Sequence, residues 1–274
     1  MSMRFAQPDD LPQLRRLWQR VFGDPEDYLD LFFRNCFPHA RAMVAEENGA
    51  VLSALYLLPL TLFVGERAYP AEYIYAVATD PDHRGQGLST ALLGETHRLL
   101  TAEGVAATVL VPAETGLFSY YGARGFETAF TVAPLEWTVS DGETIPLREA
   151  TAAEILPERN RFFASCALYG AWDADALAYR VREAEFVGGK ALAFTYKKRD
   201  CYAICVPEGE TLRIIELAAP TDGIILRSLA RYFGKRRVFT LLPAESGAPF
   251  AMLHRCAGFP PLPAGKAALS LVLD

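Results

Sequence analysis

The chain has 274 residues, 51% of them hydrophobic, which is enough to bury a core and long enough for two domains of ordinary size. A net charge of −6 argues against a nucleic-acid partner, and no apolar run reaches membrane-spanning length. The start, MSMRFAQPDD, lacks a signal-peptide layout, and the five cysteines fall at no metal-ligand spacing, so a cytoplasmic protein with reduced thiols is expected.

In chain order, Arg4–Ala6 reads as a short strand. Asp9-Asp10 can cap a helix from Pro12 to Phe22, which Gly23-Asp24-Pro25 breaks. A second helix runs from Glu26 to about Cys36. Two β segments, 41–46 and 50–64, flank Asn48-Gly49, a strong hairpin signal. Next comes an apolar strand ending in Val77-Ala78-Thr79-Asp80-Pro81, a loop Arg84-Gly85-Gln86-Gly87, and a helix opening with Leu88, Ser89 and Thr90 and stopping near Glu103-Gly104. A strand over Ala107–Val111, a short helix holding Tyr120-Tyr121, and a closing strand near Thr131–Val139 follow.

Strand, glycine loop and helix start form a device for holding phosphates. Glycine permits positive φ and close backbone approach. The first helical amides lack intrahelical partners and share the positive end of the helix dipole. Arg84 adds a forked cation. No Lys follows Gly87, which excludes a P-loop, and Ser89-Thr90 breaks the dinucleotide fingerprint Gly-x-Gly-x-x-Gly. The histidines (39, 83, 97, 254) form no zinc pair, and no Gly-x-Ser-x-Gly elbow occurs. The clusters Lys197-Lys198-Arg199 and Lys235-Arg236-Arg237 read as a hairpin turn and a helix C-terminus.

The pattern Arg84-x-x-Gly87-x-Ser89 resembles the acyl-CoA loop of the GNAT-type N-acetyltransferases, Ser89 standing for the usual last Gly or Ala. Tyr121 followed by Gly125-Phe126 is similar to that family's second signature. The resemblance covers about the first 140 residues. It implies an α/β fold and acetyl-CoA as co-substrate, with no metal. The pyrophosphate would be gripped by Arg84 and the backbone of Gly85, Gln86, Gly87, Leu88, Ser89 and Thr90, and the pantetheine arm would follow the strand at Val77 and Ala78. It also implies Tyr121 as the acid for the departing thiolate. Glu72 is a candidate base, although family members with a strand glutamate would place it nearer Tyr73; one residue's shift turns a side chain to the other face. Glu114 and Thr115 are expected at the cleft or in turn capping. Tyr56, Phe63, Tyr69, Tyr73 and Tyr75 are expected to line the cleft or fill the core.

Thr138–Arg148 reads as a linker, dividing residues 1–140 from 147–274. The second half repeats the order of the first: strands over 190–196, 201–206 and 212–217, a helix over 224–233, a strand over 237–242, a helix over 250–256, and Gly258-Phe259 echoing Gly125-Phe126. Its loop, Ala218–Gly223, lacks the Arg-x-x-Gly pattern. The expectation is a tandem of two mixed-sheet α/β domains, the second degenerate, resembling the Eis-like branch without that branch's further C-terminal domain. Asp274 ends a predicted strand over 267–273 and is a remote candidate for substrate contact. The implied reaction is direct acetyl transfer to a primary amine, on a small molecule or peptide, in a ternary complex. A non-catalytic acyl-CoA-binding or scaffold protein is the alternative, and homo-oligomerisation stays open.

Overall fold

The computed structural model describes residues 1–272; Leu273 and Asp274, and with them the expectations placed on Asp274, lie outside the described residues. The first half runs β1 (Ser2–Phe5), α1 (Leu11–Phe22), α2 (Glu26–Asn35), β2 (Arg41–Glu47), β3 (Ala50–Val64), β4 (Arg67–Thr79), α3 (Leu88–Ala102), β5 (Ala107–Leu110), α4 (Thr115–Gly122) and β6 (Phe126–Thr138). The second runs β7 (Arg148–Glu149), α5 (Ala152–Phe163), β8 (Leu168–Ala171), α6 (Ala174–Phe186), β9 (Lys190–Tyr196), β10 (Arg199–Glu208), β11 (Thr211–Ala218), α7 (Gly223–Tyr232), β12 (Arg237–Ala244), β13 (Ala248–Arg255) and β14 (Ala267–Ala268). This is the mixed-sheet α/β architecture expected from the sequence.

Local chemistry explains most elements. Leu14, Leu17 and Trp18 form the buried stripe of α1, and Gly23, at φ 76°, ends it by donating its N–H to the Gln19 carbonyl. Asn48 and Gly49, at φ 52° and 81°, turn β2 into β3 as a tight hairpin requires. Lys197 and Lys198, at φ 48° and 63°, do the same between β9 and β10, so that basic cluster is a turn. The long apolar run of β3 is covered on both faces. Leu55 and Leu57 face α3 and α4, whereas Ala54, Tyr56 and Leu58 face α1 and α2.

The strands of the described residues join one sheet in the order β1-β2-β3-β4-β5-β13-β6-β12-β11-β10-β9-β7, with β8 on the far end of β3 and β14 beside β8. The halves exchange strands. β13 lies between β5 and β6, pairing Leu253 with Val109, while the distal part of β6 pairs with β12, Trp137 opposite Val238. The predicted linker therefore separates the chain but not the sheet.

The helix expected over 250–256 is this strand. Ala251 and Leu253 turn to the α1/α2 face, Met252 to the α3/α4 face, a period of two that six residues were too few to declare. Among the described residues of the second half nothing corresponds to α4, and Gly258-Phe259 follows a strand, so its echo of Gly125-Phe126 is not structural.

Candidate functional site

The site begins with a fault in β4. Its register with β3 shifts between Tyr75 and Ala78, and Ala76 takes a left-handed φ of 46°, uncommon for a residue with a Cβ. β4 and β5 pair in parallel only over Ala71–Tyr73 and Ala107–Val109, then separate. The bulge and the separation open a cavity of about 460 Å³ through the sheet. Trp18, Asp24, Tyr73 and Tyr75 line it on the α1/α2 side, and Ile74, Leu110 and Tyr121 on the α3/α4 side.

The strand leads directly into the phosphate-type loop. Asp80 accepts from the Asp82 amide at 2.9 Å and is clamped by Arg20 at 2.7 Å. Gly85 and Gly87 sit at φ 76° and 77°, with nothing within 4 Å of a Cβ built at either, so conformation and not crowding demands glycine. Gly87 caps α3 with no side chain bonded to the first turn, and the helix's leading amides face out with the exposed Arg84 beside them. Leu88 is buried beneath, anchoring the turn.

Val77 lines the cavity, whereas Ala78 is a buried strand residue whose carbonyl accepts from Ser53 Oγ at 2.7 Å. Ser89 Oγ shares a 2.6 Å hydrogen bond with the Tyr120 hydroxyl. Thr90 Oγ1 accepts from Arg124 at 2.6 and 2.9 Å, and that guanidinium lies 3.4 Å over the Tyr120 ring. Arg124 is thus a second cation beside the loop, missed in the sequence although it stands inside the Tyr-x-x-x-Gly-Phe signature. Trp18 and Asp24 were missed too; Trp18 Nε1 donates to Asp24 at 2.7 Å, holding the carboxylate at the cavity rim.

Tyr121 reaches the cavity from α4, packed against Tyr120 and Phe126 with ring centroids 5.1 and 5.6 Å away. Burial pushes its phenol up to about 12, with Tyr120 adding to the shift and Arg124 opposing it, so the hydroxyl keeps its proton at neutral pH.

Glu72 does not join them. It shares a strand face with Ile74 but lies outside the cavity lining; Arg41 donates to it at 2.7 Å and also bonds Glu103 at the end of α3. Its other oxygen is buried without a partner, and burial raises its pKa against the pull of Arg41. The expected base Glu72 is therefore paired to Arg41 and is not among the residues brought together at the cavity. Tyr73 occupies the cavity wall instead, one position on.

Of the other aromatics, Tyr75 lines the cavity, Tyr56 packs under Trp18, Phe63 stacks on Tyr169 and Tyr69 meets Phe259. Glu114 precedes α4 as its N-cap position without a side-chain bond.

The second half holds a closed counterpart. β11 bulges at Ile215, but the space there is only about 50 Å³ and is lined by Leu269–Val272 of the same chain. At the start of α7 the Asp222 carboxylate already accepts the Ile224 amide at 3.1 Å and the Tyr196 hydroxyl. An anion's place is taken by the protein's own anion.

Among the described residues, no three His, Cys, Asp or Glu side chains gather as for a metal, and no helix is long and apolar enough to cross a membrane. The profile of the acetyltransferase (GNAT) domain matches residues 2–129. No curated protein matches the chain. Solved structures share its fold, among them the following three. A conserved protein of unknown function from Enterococcus faecalis is 16% identical, with 93% of this chain and 73% of that one aligned at a TM-score of 0.73. A GCN5-related N-acetyltransferase from Anabaena variabilis is 16% identical over 92% and 72%, at 0.70. Eis1 from Mycobacterium abscessus is 15% identical over 93% and 74%, at 0.65.

Proposed function

Residues 2–129 belong to the GNAT acetyltransferase domain family, and from that premise we propose that the protein moves an acetyl group from acetyl-CoA to a primary amine by direct transfer. One observation carries the reading: the strand that bulges at Ala76 and lines a cavity with Tyr121 on its wall runs on along the chain into a glycine loop whose helix start has no side-chain cap.

The residues fit such a co-substrate. Loop amides from Gly85 to Thr90, Arg84 and Arg124 offer donors and positive charge for pyrophosphate. The edge of β4 beyond Tyr73 leaves backbone groups unpaired by β5, as an amide-bearing arm requires. A β4 amide near Val77 is the donor for the thioester oxygen as charge develops on it; losing such a donor costs about 3 kcal/mol. Tyr121 supplies the proton to the leaving thiolate.

The cysteines argue for direct transfer. Cys36, Cys166, Cys201 and Cys205 are buried, none of the five lines the cavity, and burial pushes the Cys36 thiol up to about 12. We assign the second half as a GNAT-like domain that has lost cofactor binding, its helix start filled by Asp222. It walls the acceptor side, where Trp172 packs on Tyr73 with centroids 5.5 Å apart.

Calorimetric titration with acetyl-CoA tests the reading, with Gly87→Glu as the loop-dead control. One site per chain, lost in the control and followed by turnover of a primary amine, is expected. Two sites would refute the assignment of the second half. Absence of binding would refute the transferase reading.

A further inference from the structure

On the acceptor side of the cavity, three side chains connect the two halves. The hydroxyls of Tyr75 on β4 and Tyr28 on α2 lie 3.3 Å apart, and Tyr28 donates to Glu183 on α6 at 2.7 Å. Glu183 is held in turn by Arg180, one turn back, and by the Tyr179 hydroxyl at 3.4 Å. The direction of this chain is fixed by proton counting. An ionised carboxylate only accepts, so Tyr28 spends its one proton on Glu183. Tyr28 can then only accept from Tyr75, which leaves the lone pairs of the Tyr75 oxygen free. Tyr75 lines the cavity; Tyr28 and Glu183 do not.

We propose that Glu183 is the terminal proton acceptor of the transfer reaction, drawing the acceptor's proton out of the cavity through Tyr75 and Tyr28. This rests on the acetyltransferase reading. As the amine nitrogen bonds to the thioester carbon and the C–S bond breaks, the N–H proton passes to Tyr75 Oη. The Tyr75 proton passes to Tyr28, and that of Tyr28 to Glu183 Oε1. The thiolate takes its proton from Tyr121. The products are an amide and free CoA; Glu183 then releases a proton to solvent and Tyr121 regains one.

The surroundings suit that task. Arg180 and Tyr179 of α6 and Tyr28 of α2 contact Glu183; around them, Cys36 after α2 lies near Tyr179, Tyr73 of β4 stacks on Tyr75, and Arg213 of β11 shares a small cavity with Arg180. Burial raises the phenols of Tyr28 and Tyr75, so each keeps the proton it must hand on, and raises that of Tyr179 beside them, while Arg180 offsets any negative charge along the line. The carboxylate comes from the second half, which gives that half a use beyond packing.

Two variants separate a relay from a latch. Tyr28→Phe cuts the chain but leaves the Glu183–Arg180 pair; Glu183→Gln keeps an acceptor oxygen but cannot take a proton. Each is expected to lower kcat about 100-fold, with acetyl-CoA affinity unchanged by calorimetry and the rate recovering as pH rises and hydroxide substitutes. The double variant should be no slower than the slower single one. Wild-type kcat in either variant, or a fall in kcat with an unchanged pH profile, overturns the relay while the transferase reading stands. A wild-type protein that binds acetyl-CoA but acetylates no amine overturns both.

Discussion

Ser89 and Tyr120 are joined by a 2.6 Å hydrogen bond that ties the first turn of α3 to α4, so the loop that would hold phosphate and the helix that carries Tyr121 move as one unit. The adjacent bond from Arg124 to Thr90 repeats the connection. The two sequence signatures, 31 residues apart at these positions, are physically one device.

Ser89→Ala should therefore loosen more than an anion contact. Its loss leaves the Tyr120 hydroxyl at the surface, where water replaces the partner, so stability falls by only about 1 kcal/mol. Turnover should fall more than cofactor affinity, because Tyr121 loses its fixed position. Kinetics and calorimetry on the same variant check this; equal losses in both would remove the coupling.

Tyr121→Phe keeps the ring packing on Phe126 and removes only the hydroxyl. We expect kcat to fall about 100-fold with acetyl-CoA affinity nearly intact. Since burial lifts this phenol to about 12, no loss of activity from its ionisation should appear below pH 10. A pH–rate profile showing such a loss in the wild type but not in the variant would contradict the burial.

Arg41→Met should destabilise by about 2 kcal/mol, because it strands the buried Glu72 carboxylate. Glu72→Gln together with Arg41→Met should recover part of that. The sign with pH follows from burial: Glu72 is raised, so in Arg41→Met the protonated folded form is favoured, and stability is lost as pH rises through the folded pKa. Urea unfolding at pH 5 and 8 would show it. Glu72→Gln alone should leave kcat unchanged.

His97 and His254 stack at 3.7 Å, joining α3 to β13. Burial lowers both, His97 to about 3, so the unfolded chain binds protons that the folded one refuses. Stability contributed here is present above the ordinary histidine pKa and is lost as pH falls below it. His254→Phe should flatten the fall of Tm between pH 7 and 5. Gly125→Ala should lower Tm at every pH, since its Cβ would come 3.1 Å from the His254 ring and φ there is 86°.

The first half of the fold was legible because its elements carry strong local signals: the stripe of α1, the Asn48-Gly49 turn, the glycine loop. At the candidate site the same kind of signal marks the Arg84–Thr90 loop, whose glycines take positive φ, and Tyr121, which lines the cavity. Glu72 was not legible, because its surroundings come from distant segments: Arg41 of β2 bonds it and Glu103 together outside the cavity lining, and no local pattern encodes that. β13 was misread because its identity depends on β5 and β6, more than 110 residues earlier, and no local rule encodes a partner at that distance. Trp18, Asp24 and Arg124 reach the site from elements whose sequences mark only a helix stripe, a turn and a signature's interior.

Strand exchange also dictates when the protein can be finished. During synthesis β5 presents an unpaired edge beside the opening cavity from the moment it is made until β13, ending at Arg255, leaves the ribosome. Everything the Tyr121 signature needs has been translated long before, yet the sheet beneath it stays open on one side. An unpaired edge invites pairing with another nascent chain. The burden of folding this chain therefore falls on the interval between residues 110 and 248, and truncating the second half should yield an aggregating first half instead of a folded minimal domain.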